Sequence, residues 1–168
     1  MTSCSPAIMY RPELVVPERL WERLLGELRQ RGGGVRESGA FLLGSLDSDV
    51  RIVSTYVLYD DLDSQALSQG FVHLGSQCFT ELWKICEARR CTVVADIHTH
   101  PFGARQSPSD RANPMIALRG HVAIIAPRYA AAPVRVSELG VYRYLGKHRW
   151  VSINGRLAGP ALQFVEDS

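Results

Sequence analysis

The chain has 168 residues, a formal net charge of +2 and 46% hydrophobic residues. This length suits one domain with a sizeable core, and this apolar fraction argues against intrinsic disorder. So small a charge, without a basic stripe interleaved with aromatic residues, argues against nucleic acid binding. The N-terminus lacks the features of a signal peptide, and no apolar run approaches membrane-spanning length. We therefore expect a cytoplasmic protein with no nucleic acid or membrane partner.

The first half of the chain predicts one helix and then a hairpin of strands. Leucines recur every four residues after Pro17, which indicates an amphipathic helix that the glycines at 32–34 end. Residues 38–46 are apolar and residues 50–58 are rich in β-branched side chains, so both predict strands. Asp47-Ser48-Asp49 provides the turn between them.

The middle of the chain predicts a loop, a helix and a buried strand. Residues 60–70 are polar and are expected to form a loop. The helix after it is predicted to bury one apolar face, formed by Phe79, Leu82, Trp83 and Cys86. Residues 91–97 predict the strand. Further on, Asn113-Pro114 is expected to begin a short helix that runs through Leu118.

The last third predicts a short buried strand at residues 122–126 and a hairpin formed by residues 139–145 and 149–153. The tail from Asn154 has no clear pattern and is expected to be loose or to lie on the surface. We interpret residues 1–168 as one domain with its core at about 10–153. Pattern alone indicates a mixed α/β or α+β fold, because the regular βαβ alternation is missing. The chain has four cysteines, Cys4, Cys78, Cys86 and Cys91. None of them forms a C-x-x-C pair.

The most informative segment covers residues 95–110 and reads ADIHTHPFGARQSPSD. His98 and His100 lie two residues apart at the end of a predicted strand, so their side chains share one face and can reach one metal. Asp110, in the following loop, is the nearest downstream acid that can complete the site. Three such ligands leave a fourth tetrahedral position open, which is typical of catalytic zinc.

Other titratable residues compete for a place in this site. Asp96 shares the strand face of the two histidines, so it is a candidate to support the ligands, although we rank it below Asp110 as a ligand. Glu37 stands just before the apolar residues 40–43, and a carboxylate there could act as the base. The remaining histidines have no partner at ligand spacing and are not expected to have a chemical role; they are His73, His121 and His148.

This constellation resembles the JAMM/MPN+ family of zinc metalloproteases over roughly residues 37–125. Five positions match the family motif in order, namely Glu37, His98, His100, Ser107 and Asp110. The resemblance implies a cytidine-deaminase-like MPN core, in which a curved mixed sheet is flanked by helices. It also implies Glu37 as the base and Ser107 as a hydrogen-bond donor to the oxyanion. Six residues separate His100 from Ser107, against seven more commonly, so Ser109 is the alternative donor.

The resemblance further implies an isopeptidase that requires Zn²⁺ and cleaves after the C-terminal glycine of a ubiquitin-like protein. So small a protein is similar to deconjugating enzymes encoded beside bacterial activating- and conjugating-enzyme homologues, including those of antiviral systems. The substrate tail is expected to pair with residues 50–58 or the loop after them. The globular partner should contact the short loops at 60–73 and 127–138. Two glycine pairs, Ser38-Gly39 and Phe102-Gly103, either form turns or make room for the tail.

Two alternatives follow from the same resemblance. The first is a peptidase that processes the precursor of a sulfur-carrier ubiquitin-like protein, with the same chemistry on a different partner. The second is a metal-free MPN scaffold that only mediates interactions. Such scaffolds typically lose the metal ligands, whereas this sequence retains all of them.

Overall fold

The computed structural model describes residues 11–153 and 161–167, which form a mixed α+β fold around one sheet. The eight strands follow the order β7-β6-β5-β4-β2-β3-β1-β8. The elements are β1 (Leu14–Pro17), α1 (Glu18–Gly32), β2 (Gly39–Asp47), β3 (Val50–Leu58), α2 (Tyr59–Leu62), α3 (Ser76–Arg89), β4 (Thr92–Thr99), α4 (Pro108–Ala112), β5 (Val122–Ala126), β6 (Gly140–Gly146), β7 (Arg149–Ser152) and β8 (Leu162–Val165).

The sheet is mixed and curved. β2 is antiparallel to both β3 and β4, whereas β4 and β5 run parallel and β1 is parallel to both of its neighbours. Two arginines join strands that are not adjacent. Arg51 of β3 donates to the Gly120 carbonyl before β5, and Arg143 of β6 pairs with Glu13 before β1. The structure therefore confirms the prediction of a curved mixed sheet.

Helices cover both faces of the sheet. Side chains along each strand alternate between these faces, so β2 contributes to two cores. Ala40 and Leu42 of β2 belong to the core beneath α1, whereas Phe41 and Leu43 belong to the core beneath α3. Asp96 of β4 is the register partner of Phe41 and lies opposite it on the neighbouring strand.

Several predicted elements are confirmed within one or two residues, including α1, both hairpins and β5. Within the predicted loop, however, Tyr59–Leu62 forms the short helix α2. The predicted face of α3 is wrong at Trp83, whose exposure is 47%. The buried stripe is formed by Cys78, Leu82 and Cys86, which are spaced by four residues. Trp83 lies about 100° around the helix from Leu82, so it turns towards solvent.

Two expectations about the later chain are wrong. Asn113 does not begin a helix; it is the C-terminal cap of α4, which spans Pro108–Ala112. The tail does not lie loosely over residues 161–165, because β8 pairs in parallel with β1, and both Ala161 and Leu162 are buried. Residues 154–160 lie outside the described part of the chain. Among the described residues, no helix is both long and apolar enough to cross a membrane.

Candidate metal centre

Three potential metal ligands converge at the C-terminal end of β4. His98 Nε2 lies 3.0 Å from His100 Nε2, and Asp110 places one carboxylate oxygen 3.4 Å from the first nitrogen and the other 3.3 Å from the second. The two histidines are 5% and 9% exposed. These three residues form a group that could hold a metal ion, as the sequence predicted.

The spacing of the donor atoms fits a small tetrahedral cation. Ligand bonds of about 2.0–2.1 Å to a tetrahedral zinc place neighbouring donors about 3.3–3.4 Å apart, which is close to the separations in this group. Two imidazole nitrogens and one carboxylate are also ligands that zinc accepts. The residues present therefore fit zinc.

The cluster is electrostatically coupled. Burial alone would raise the pKa of Asp110, but hydrogen bonds from His100 and His98 hold that pKa well below its usual range. Burial opposes a proton on His98, whereas the Asp110 carboxylate favours one strongly enough that the pKa of His98 is raised overall. The site therefore attracts positive charge to the point where the two rings meet Asp110.

Glu37 lies beside this group, at the residue before β2. Its Oε1 is 3.9 Å from His100 Nε2, and its side chain is 20% exposed. Its backbone N–H donates to the Gly70 carbonyl, while the Val72 N–H donates to its carboxylate. Burial raises the pKa of Glu37 in spite of the nearby histidines. The carboxylate is therefore held near the cluster and has a stronger affinity for a proton than an exposed glutamate has.

Ser107 fixes the loop that carries Asp110. Ser107 caps α4, since its Oγ accepts the Asp110 N–H at 3.1 Å and its own N–H donates to Asp110 Oδ2 at 2.6 Å. This reciprocal capping box leaves the hydroxyl proton of Ser107 unused by the cap. Ser109 is exposed, and its Oγ contacts Asn113 Nδ2 at 3.5 Å.

Asp96 does not belong to the group of three ligands. It is 1% exposed, and its Oδ1 lies 2.6 Å from His121 Nε2. Its Oδ2 accepts from the Tyr59 hydroxyl at 3.4 Å. The sequence assigned no role to His121 or Tyr59. No local signal reveals them, because both reach Asp96 from other elements.

The two glycine pairs have different surroundings. A Cβ on Gly39 would lie 2.3 Å from the Tyr59 ring and 2.7 Å from the Ile97 carbonyl, so Gly39 is needed for packing. Gly103 has no described neighbour within 4 Å of the position of a Cβ, and the adjacent Phe102 is 84% exposed. Only the second pair borders open surface.

The edge of β3 is only partly covered. Arg51 and Ile52 pair with β1, so they cannot receive a further strand on that edge. Residues 53–58 have no pairing strand there among the described residues, and Leu58 pairs with Ala40 near the start of β2. The part of β3 that has no pairing strand on this edge therefore ends at the same end of the sheet as His98 and His100.

Comparisons with solved structures support the architecture. A protein from Desulfitobacterium hafniense, a structural genomics target, is 16% identical with a TM-score of 0.65, over 92% of this chain and 94% of that chain. A structural genomics target from Salinibacter ruber is 15% identical with a TM-score of 0.57, over 82% and 86% of the two chains. At these identities the similarity concerns the fold alone. No family model matches the chain.

Proposed function

We propose that this protein is a zinc-dependent peptidase of the JAMM/MPN+ type, with a cytidine-deaminase-like MPN core. The observation that carries the proposal is the convergence of His98, His100 and Asp110, with Glu37 only 3.9 Å from one of them. Glu37, the two histidines and Asp110 come from three separate parts of the chain and meet at one end of the sheet. They follow one another along the sequence in the order of the family motif. Metal-free scaffolds of this family typically lose the metal ligands, whereas this chain retains all three.

His98, His100 and Asp110 would hold the metal. When bound, zinc supplies Lewis acidity, which lowers the pKa of a water molecule and polarises the scissile carbonyl. The depressed pKa of Asp110 keeps its carboxylate ionised at neutral pH, as a ligand must be.

Glu37 performs the proton transfers. Its carboxylate accepts a proton from the attacking water and returns it to the nitrogen of the departing amine as the C–N bond breaks. The raised pKa makes the carboxylate a stronger base in the first step, while its acid form is still a strong enough acid to protonate the amine in the second. No covalent intermediate with the enzyme is required, so none of the cysteines acts as a nucleophile.

Ser107 stabilises the developing oxyanion. The α4 cap uses one lone pair of Ser107 Oγ and leaves the hydroxyl proton available for donation. The capping box also ties Ser107 to Asp110, so the donor and the ligand keep a fixed relation. Ser109, which contacts Asn113, is the weaker candidate for this role.

The substrate in this proposal is the C-terminal tail of a ubiquitin-like protein or its conjugate, and activating- and conjugating-enzyme homologues are potential partners. The C-terminal tail of the ubiquitin-like protein would pair with the open edge of β3 at residues 53–58. Two exposed aromatic residues support a macromolecular substrate. Phe102 follows Pro101 beside a ligand, and Phe71, 51% exposed, precedes the residue that donates to Glu37.

Cleavage of defined fusions tests this proposal. The zinc-loaded protein is incubated with ubiquitin-like proteins fused through their final glycine to a short peptide, and the products are mapped by mass spectrometry. We expect hydrolysis immediately after the glycine. Replacing that glycine with leucine should block cleavage far more than replacing residues further from the end. Equal cleavage of both forms, or of an unrelated unfolded peptide, would contradict a deconjugating function. Exclusive cleavage of a sulfur-carrier precursor would favour the processing alternative.

A further inference from the structure

A buried polar group beneath the metal ligands has no part in the proton transfers. Asp96, His121 and Tyr59 are 1%, 6% and 0% exposed. Asp96 accepts the hydrogen bond of the Tyr59 hydroxyl and lies 2.6 Å from His121 Nε2. Asp96 lies in β4, Tyr59 in α2 and His121 directly before β5. The fold has therefore brought them together at the cost of burying a carboxylate.

His98 has an unsatisfied atom near this group. Its Nε2 faces His100 and Asp110, whereas its Nδ1 is buried and has no hydrogen-bond partner among the described residues. A buried ring nitrogen without a partner is costly, so a partner is expected.

A small cavity borders both Asp96 and His98. It has a volume of about 20 Å³, and its lining includes Asp96, His98 and Asp110. A cavity needs roughly 10–15 Å³ to hold a single water molecule, and such a water needs at least two polar partners. The space therefore suits one water and is too small for a second metal ion with its own ligands.

We propose that one buried water in this cavity links His98 Nδ1 to the Asp96 carboxylate, and that Asp96 is thereby a positioning residue for the metal centre. The Nδ1–H donates to the water, and the water donates to Asp96. This arrangement places the ring proton on Nδ1 and leaves the lone pair of Nε2 directed towards the metal. Bonds from His121 and Tyr59 prevent the carboxylate from turning away. The inference depends on the metal-binding part of the proposed function and not on the substrate.

Zinc affinity of the metal-free protein measures the effect. Competition with a chromophoric chelator should show that Asp96→Asn binds Zn²⁺ about 10- to 100-fold more weakly than wild type, as for other residues that support a ligand. Tyr59→Phe removes one hydrogen bond and no charge, so a smaller loss in the same direction is expected. The control is Asp63→Asn, which removes a carboxylate that accepts the N–H groups of Gln65 and Gly75 in a loop. All variants are compared only after circular dichroism shows a native fold.

A high-resolution crystal structure of the zinc-loaded wild type gives an independent answer, even if Asp96→Asn does not fold. It should contain one water within hydrogen-bond distance of both His98 Nδ1 and Asp96. An Asp96→Asn affinity equal to that of the Asp63→Asn control, or a His98 Nδ1 bonded elsewhere, would overturn the inference. A protein that binds Zn²⁺ but cleaves no substrate would overturn only the proposed peptidase. A wild type that binds no Zn²⁺ would overturn both.

Discussion

Ser38 and Thr99 exchange two hydrogen bonds between the start of β2 and the end of β4. The Ser38 N–H donates to Thr99 Oγ1 at 3.0 Å, and the Thr99 N–H donates to the Ser38 carbonyl at 2.8 Å. Both residues are fully buried. Because Glu37 precedes Ser38 and Thr99 lies between the two histidines, this exchange fixes the position of Glu37 relative to His98 and His100.

Thr99→Val should weaken this link while preserving side-chain shape. The variant leaves the buried Ser38 N–H without its acceptor, which costs about 1–3 kcal/mol in the free energy of unfolding. Displacement of Glu37 should also lower kcat by roughly 10- to 100-fold at saturating zinc. Denaturant unfolding and steady-state kinetics measure the two effects. The control is Thr80→Val, because Thr80 is exposed on α3, outside both the candidate metal centre and the edge of β3. Equal effects of both variants would contradict the role of Thr99.

Purified protein should contain one zinc ion per chain, held by His98, His100 and Asp110. Elemental analysis should find it in the wild type and lose it in His100→Ala. His148→Ala is the matched control, because His148 is exposed in the turn between β6 and β7. Zinc at a thousand times its Kd should raise the free energy of unfolding by about 4 kcal/mol. Metal that persists after loss of both ligand histidines would refute the assignment.

Much of this centre could be predicted from sequence because its chemistry is concentrated in short segments. The two-residue spacing of His98 and His100 fixes their common face once the strand is recognised. The sequence offered Glu37 as a candidate base because it precedes the apolar residues 40–43. Only the family resemblance connected it with histidines about sixty positions away, since no local rule does so. The structure supplies that connection through the bonds between β2 and β4.

Other parts could not be predicted, or were overlooked. The capping box of α4 is local, and Ser107-Pro108 followed by Asp110 fits its pattern, but the Asn113-Pro114 pair offered a competing helix start. β8 is a short segment whose burial depends on pairing with β1, from the opposite end of the chain. The partners of Asp96 likewise come from distant elements, so only tertiary structure reveals them.

Near neutral pH, stability should depend on pH in opposite ways with and without the metal. The raised pKa of His98 gives the metal-free protein stability that is present below about pH 6.5 and lost as the pH rises through the folded-state pKa. The lowered pKa of Asp110 gives stability that is present above about pH 4 and lost as the pH falls. Zinc requires deprotonated histidines, so its contribution grows as the pH rises.

The difference in Tm between zinc-loaded and chelator-treated protein should therefore widen from about pH 6 to pH 8. Thermal unfolding across this range measures it, with His100→Ala as the variant that should show no difference at any pH. A difference in Tm that stays constant or narrows with rising pH would indicate that the metal does not bind through these histidines.

The oxyanion role can be separated between the two serines. Ser107→Ala should lower kcat by about a hundredfold or more and also cost about 1 kcal/mol through loss of the α4 cap. Ser107→Thr retains a hydroxyl and should restore most of kcat. Ser109→Ala removes only an exposed contact with Asn113, so little change is expected. A larger loss of kcat in Ser109→Ala than in Ser107→Ala would reverse the assignment.

In the proposed mechanism, Glu37 acts as the base beside a metal that it does not bind. The most direct test is the single-turnover rate of cleavage of a glycine-terminated ubiquitin-like fusion by Glu37→Gln, at a zinc content equal to that of the wild type. We predict that cleavage is abolished while one zinc per chain is retained. Because burial raises the pKa of Glu37, the neutral glutamine should also leave the metal-free fold at least as stable at neutral pH. A zinc-loaded Glu37→Gln variant that keeps most of the wild-type rate would show that Glu37 is not the base.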